Sequence, residues 1–274
     1  MSSAPPKTPP SAEPAFDLDY SIHDFEVDPN PDSQFLYQRI DEAALAEGLT
    51  PGGRTLDVAC GVGALAVQVC ERGGEGWGID SSQEMLGLHR WVFPGRRLPL
   101  VRGVAEALPF RDGSFDRIVC KGSLDHFVDP QAFMRDAARL LRPGGRIVVA
   151  LANYESLSCR LGRLWRRVET GVLCRPIPPH RAYFEPPPDH YHKGDLAFVR
   201  ALGGRRLELE RWYGLSLLWL LRDSRDWRWG DVLTGLTPSL ARAVLIGLDR
   251  IACRLPAQAD MIISVWRLSG EGDR

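Results

Sequence analysis

The stretch "RTLDVACGVGALAVQVCER", residues 54–72, constrains the fold more than any other part of the chain. It passes from an apolar strand pattern (54–59) through Gly61 and Gly63 into a helical pattern (64–72) that Gly73 and Gly74 close. The alternation then continues. "GWGID" (76–80) reads as a strand, "SQEMLGLHRWV" (82–92) as a helix, and another strand follows near 98–102. "FDRIVC" (115–120) has the β-branched apolar centre of a buried strand, and "RIVVAL" (146–151) is a second one. Between them "PQAFMRDAARLL" (130–141) opens a helix on Pro130 and stops at Pro143, Gly144 and Gly145. Elements alternating with this period predict an α/β fold, a mostly parallel sheet with helices on both faces.

The flanks are less regular. "SQFLYQRIDEAALAEGL" (33–49) carries Phe35, Leu36, Ile40, Ala43 and Ala44 near helical spacing, with Gly48 as a stop. From about residue 152 the pattern loosens, and "CRPIPPHRAYFEPPPDHYHKGD" (174–195) has too many prolines for regular structure. Residues 153–193 read as an insertion lying over one end of the sheet. A helix resumes after Asp195, a plausible N-cap, and "RRLELERWYG" (205–214) alternates as a strand does. Residues 215–258 read as a second insertion, with Thr237 and Pro238 starting a helix. Its expected apolar stripe is Leu240, Val244, Leu248, Ile251 and Leu255. "DMIISVWRL" (260–268) closes the fold as a strand.

Composition narrows the function classes. At 274 residues and 44% apolar, the chain can bury one sizeable core, and 16–274 reads as a single domain. Residues 1–15, "MSSAPPKTPPSAEPA", read as a disordered proline-rich lead without the features of a secretory signal. A net charge of −1 leaves no electrostatic footprint for nucleic acid. The longest strongly apolar run, "LSLLWLL" (215–221), is too short to span a bilayer, although peripheral contact stays open. The six cysteines form no C-x-x-C pair or zinc spacing, so reduced thiols and a cytoplasmic location are expected.

The turn itself, "GVGALA", is a G-x-G-x-x-A pattern, and alone such a pattern is equally a plain strand-to-helix connection. Its context is informative. The next strand ends in Asp80, where a carboxylate can bind the hydroxyls of a ribose. Asp57, four residues before Gly61, then discriminates between nucleoside cofactors. It would repel the pyrophosphate that a dinucleotide places at the helix N-terminus. It would attract the ammonium and sulfonium of S-adenosyl-L-methionine.

"LDVACGVGALA" (56–66) resembles the first motif of the class I S-adenosylmethionine-dependent methyltransferases, specifically their small-molecule branch. "GIDSSQEML" (78–86), "GVAEALPFRDGSFDRIVC" (103–120) and "LDHFVDPQAFMRDAARLLRPGG" (124–145) follow in that family's order, covering about 33–151. The resemblance implies a Rossmann-like, mostly parallel seven-stranded sheet and S-adenosylmethionine-dependent methylation of a small metabolite. It implies that Asp57, Gly61 and Gly63 face the methionine part of the cofactor, Asp80 the ribose, and Ser81 and Met85 the adenosine. Ala105 and Glu106 would line the adenine side, and Cys120 and Lys121 would begin a loop near the methyl group. Two positions depart from the family pattern. Ala59 replaces a usual glycine, which the loop accepts if its φ stays negative. Val104 stands where an aspartate often bonds adenine, leaving that contact to backbone amides.

Methyl transfer needs mainly alignment, and a base only where the acceptor carries a proton. His126, after the fourth strand, is the candidate catalytic base; equally it can hold a loop, and Asp125 beside it reads as a turn or cap residue. His180, His190 and His192 lie on the first insertion with Tyr183, Phe184 and Tyr191, as a closing loop or a stiff surface loop. No metal site is expected among them, because no carboxylate stands nearby at ligand spacing. Trp219, Trp227 and Trp229 read as helix packing or as an apolar wall for a hydrophobic acceptor. A nicotinamide-dependent oxidoreductase and a non-catalytic S-adenosylmethionine-binding protein are the alternatives. Neither the acceptor nor the oligomeric state can be read from the chain.

Overall fold

The computed structural model describes residues 31–177, 182–186, 188–218 and 238–270. The expectations for residues 1–15, His180, Thr237 and the three tryptophans Trp219, Trp227 and Trp229 fall outside them.

Helix α1 (Pro31–Gly48) leads into β1 (Arg54–Val58), α2 (Ala64–Glu71), β2 (Glu75–Asp80), α3 (Gln83–Val92) and β3 (Leu100–Arg102). Next come β4 (Phe115–Lys121), a 3-10 turn (Leu124–His126), α4 (Pro130–Leu140) and β5 (Leu141–Ala152). The chain continues through α5 (Leu157–Gly171), α6 (Leu196–Ala201), β6 (Leu207–Leu215), α7 (Pro238–Ala252) and β7 (Met261–Leu268).

The seven strands form one sheet in the order β3-β2-β1-β4-β5-β7-β6. Strands β1 to β5 are parallel, and β7 enters antiparallel between β5 and β6. Consecutive residues of the central strands alternate between two buried clusters. Ile118, Cys120, Ile147, Val149 and Ile262 pack with Phe133, Met134 and Ala137 of α4 on one face. Val119, Val148 and Ile263 pack with Ile40 and Ala44 of α1 and Leu65 of α2 on the other. Each such side chain contributes roughly 1.5–3 kcal/mol when fully buried. Helix α2 can lie close to β2 because a Cβ at Gly76 would stand only 2.1 Å from the carbonyl oxygen of Ala66.

Several expectations on the flanks need correction. Helix α4 runs directly into β5 at Leu141, so Pro143, Gly144 and Gly145 lie inside the strand, where its pairing with β4 shifts register. The expected irregular insertion begins with a regular 15-residue helix, α5, capped by Ser156 Oγ accepting from Cys159 N–H at 3.2 Å. The stripe expected on α7 is inward only in part: Val244, Ile251 and Leu255 are all more than 40% exposed, Leu248 packs against Leu217, Ala252 and Ala259, and the side chain of Leu240 lies outside the described residues. Among the described side chains of α7, Asp249 and Ala252 are buried. Asp249 accepts hydrogen bonds from Ser216 N–H (2.9 Å) and Arg39 Nε–H (3.1 Å), tying α7 to the end of β6 and to α1. A buried carboxylate, with Leu248 and Ala252 beside it, marks the face of this helix that turns inward.

Candidate active site

The order of the strands reverses at β1, whose neighbours are β2 and β4. In open α/β sheets the crevice at the carboxyl ends of such strands is where ligands bind. Asp57, the glycine turn, Asp80 and Lys121 lie at those strand ends. Asp57 lies in β1 paired with Val119 of β4, and the glycine turn follows at once. Gly61 (φ 54°) and Gly63 (φ 80°) are both left-handed, as is Ala59 at φ 56°. The condition under which Ala59 was expected to replace glycine therefore fails, because the turn demands a positive φ that an L side chain resists.

The turn is held to β2 by Asp80. Its Oδ2 accepts from Gly61 N–H at 2.7 Å and its Oδ1 from Ser82 N–H at 2.9 Å. A further support escaped the sequence reading: His89 of α3, whose Nδ1 lies 2.8 Å from the Val62 carbonyl and Nε2 3.2 Å from that of Arg96. Met85 is buried, and its terminal methyl would lie 3.3 Å from a Cβ at Gly61, so its thioether arm packs under the turn. Ser82 caps α3 by accepting from Met85 N–H at 3.2 Å, while the carbonyl of Ser81 accepts from Arg102 Nε–H.

Electrostatics at the strand tip are dominated by carboxylates. Burial pushes the Asp57 carboxyl up to about 7, opposed by Lys121 and reinforced by Asp80 and Asp41. Asp80 is raised as well, chiefly by burial, against its backbone hydrogen bonds. Lys121 is ion-paired with Asp41 of α1, a residue that no motif marks. Burial also raises the thiols of Cys60 and Cys120 well above their ordinary range, which keeps both protonated. Cys120 is wholly buried in the core, so only its backbone can reach the crevice. Ala105 is buried, and Glu106 Oε1 accepts from Val128 N–H at 2.9 Å, joining the loop after β3 to the loop after β4.

The second half of the site is built by chain return. Tyr191 N–H and His192 N–H both donate to the Asp125 carbonyl, at 2.9 and 3.1 Å. This brings His190 Nδ1 to 2.8 Å from Asp125 Oδ2 and Asp189 Oδ2 to 3.3 Å from His126 Nδ1. The rings of His126 and His190 meet edge to face with centroids 4.1 Å apart. Burial, then the nearby His190, lowers the His126 pKa, so its imidazole is neutral at neutral pH. The carboxylate missing from the histidine-rich segment is thus supplied by Asp125, which lies far away in sequence but adjacent in space.

The comparisons agree with this geometry. Residues 56–149 match the family described as "Methyltransferase domain". A demethylmenaquinone methyltransferase of Mycolicibacterium paratuberculosis is 34% identical over 53% of this chain and 60% of its own length. A ubiquinone biosynthesis O-methyltransferase of Idiomarina loihiensis is 30% identical over 49% of this chain and 57% of its own. The chain thus spans roughly half to three-fifths of the length of these curated relatives. In fold, it resembles a protein from Pyrococcus horikoshii OT3, with TM-score 0.54, 15% identity, and 88% and 93% of the two chains covered. It also resembles a chain of the Haloferax volcanii complex of the Trm112 methyltransferase activator with a methyltransferase, with TM-score 0.55, 17% identity, and 86% and 92% covered. The glycine turn and the two strand-tip carboxylates, Asp57 and Asp80, all lie within the stretch that matches this methyltransferase domain.

Proposed function

We propose that the protein transfers a methyl group from S-adenosyl-L-methionine to a small, hydrophobic metabolite. One observation carries the reading: the carboxyl of Asp57 is buried at the tip of β1, beside a glycine turn that Asp80 holds in place. Among the groups acting on Asp57, the carboxylates of Asp80 and Asp41 outnumber the ammonium of Lys121. A phosphate brought there would add repulsion to an already desolvated carboxylate, whereas a cationic, phosphate-free nucleoside offsets it. The residues therefore fit that cofactor and not a dinucleotide.

In this reading Asp57, Ala59, Gly61 and Gly63 hold the aminoacyl end, and Asp80 and Ser81 the ribose. Met85, Ala105 and Glu106 line the adenosine, and the backbone of Cys120 with Lys121 borders the transfer position. When bound, the cofactor supplies an activated methyl group, so the chain's own contribution is alignment and the exclusion of water. His126 is the residue assigned to the acceptor. A neutral, largely enclosed imidazole at the carboxyl end of β4 can take the proton of a hydroxyl acceptor, with Asp189 stabilising the charge formed. The names of the relatives point toward quinone-type acceptors with an aromatic hydroxyl or ring carbon.

Calorimetric titration with S-adenosylhomocysteine and, separately, with NADH tests the reading. Saturable binding of the former alone is expected. Binding of NADH alone would assign the crevice to a dinucleotide and overturn it. Incubation with methyl-labelled cofactor and a pool of phenols and quinols then separates turnover from binding without catalysis.

A further inference from the structure

We propose that Asp125, His126 and His190 form a binding site for a divalent transition-metal ion of the zinc class. One ligating atom from each residue lies within 4.8 Å of the other two. The side chains of Asp125 and His190 are only 2% and 8% exposed. His190 Nδ1 and Asp125 Oδ1 nevertheless have no hydrogen-bond partner among the described residues.

The approach of His190 Nδ1 to Asp125 Oδ2 is informative in this respect. At 2.8 Å the two atoms are at hydrogen-bonding distance, yet the ring nitrogen is not aligned to donate. Two ligands converging on one ion approach each other in the same way: metal bonds of about 2.0–2.1 Å in a tetrahedron separate neighbouring donor atoms by roughly 3.3 Å. A buried polar atom left unpaired is costly, and an ion shared by His190 Nδ1 and the Asp125 carboxylate, whose other oxygen is also unpartnered among the described residues, offsets that cost.

The donor set selects the ion. Two imidazoles and one carboxylate suit zinc and its neighbours, whereas magnesium and calcium prefer oxygen alone. Three protein donors leave one position of a tetrahedral ion unfilled by this cluster. The surroundings hold the donors in orientation, as metal ligands require. Asp189 flanks His126 Nδ1, and the amides of Tyr191 and His192 fix the main chain at Asp125. Occupancy has a consequence that rests on the methyltransferase reading. An imidazole that has given its lone pair to a metal cannot accept a proton, so zinc should slow transfer to a protic acceptor.

The test uses the full chain with exposed Cys70, Cys174 and Cys253 replaced by serine, because accessible thiols bind zinc themselves. After chelator treatment and dialysis, zinc is titrated against a competing indicator, with magnesium as the hard-cation control. One zinc per chain is expected, weakened about 10-fold or more in His190→Gln and in Asp125→Asn. S-adenosylhomocysteine affinity and far-ultraviolet circular dichroism, followed in parallel, report whether each variant is folded. His126→Gln provides a third variant should Asp125→Asn unfold. No zinc uptake by the parent chain, or uptake unaltered in folded variants, overturns the site while leaving the cofactor reading untouched.

Discussion

The two halves of the crevice are built by different means. At the tips of β1 and β2, the turn and its carboxylates come from one contiguous βαβ unit, and the main-chain amide of Gly61 is bound by Asp80 nineteen residues later. After β4, the site exists only because residues 189–192 return to Asp125 and His126. The first half concentrates negative charge in a locally determined frame, and the second gathers polar groups from distant segments. On the proposed function, cofactor recognition is encoded locally, while acceptor recognition can change with the insertions without disturbing the turn.

The largest expected effect would break the first half. Asp57→Asn is expected to weaken S-adenosylhomocysteine binding roughly 10- to 100-fold at pH 8, through loss of a charge-assisted contact. In the parent protein, affinity should climb as pH rises through about 7, because the ionised carboxyl is the form that pairs with a cation. Ligand-free stability should move the other way. The folded chain keeps the Asp57 proton up to about 7, whereas an unfolded aspartate releases it near ~3.9, so this group's contribution to stability falls between those values. Thermal unfolding from pH 4.5 to 8 should therefore show Asp57→Asn gaining on the parent as pH rises. A constant difference would mean that Asp57 titrates alike in both states.

An intermediate effect sharpens the contrast. Asp249→Ala strips the acceptor from the buried Ser216 N–H and from Arg39, and is expected to cost about 1–3 kcal/mol of stability. Its cofactor affinity should stay within a factor of two, as measured by calorimetry. A large loss of affinity would show that the packing of α7 is coupled to the turn, which would then not be a locally determined frame. The smallest effect is Ala59→Gly. Relief of a left-handed alanine is worth roughly 1–2 kcal/mol, less about 0.4–1 kcal/mol for the looser unfolded chain. A net gain of up to about 1 kcal/mol in chemical denaturation is expected, and a loss would show that packing of the Ala59 methyl against the core outweighs strain.

Much of the fold and half of the site could be read directly, since period and turn chemistry are local properties. The strand at 115–120, the proline-opened helix at 130 and the Asp195 cap all report contacts within a few residues, and each stands where expected. Asp57 and Asp80 were identifiable because a parallel βαβ unit necessarily brings two successive strand tips together. Other features could not be read in this way. The aliphatic row of α7 reads as one core face, but Val244, Ile251 and Leu255 of that row are exposed while Leu248 packs inward, because the neighbouring elements offer partners for Asp249 beside it.

The amino-acid order by itself determined the alternation, the parallel sheet, the glycine turn and the negative charge at its mouth. These follow from backbone geometry and from Coulomb repulsion at short separation. Only the tertiary structure decided that Asp41 would hold Lys121, that β7 would insert antiparallel, and that Asp125 would meet His190. Those pairings join segments far apart in the chain. Their formation depends on the packing of the whole sheet and its insertions, which no local period records.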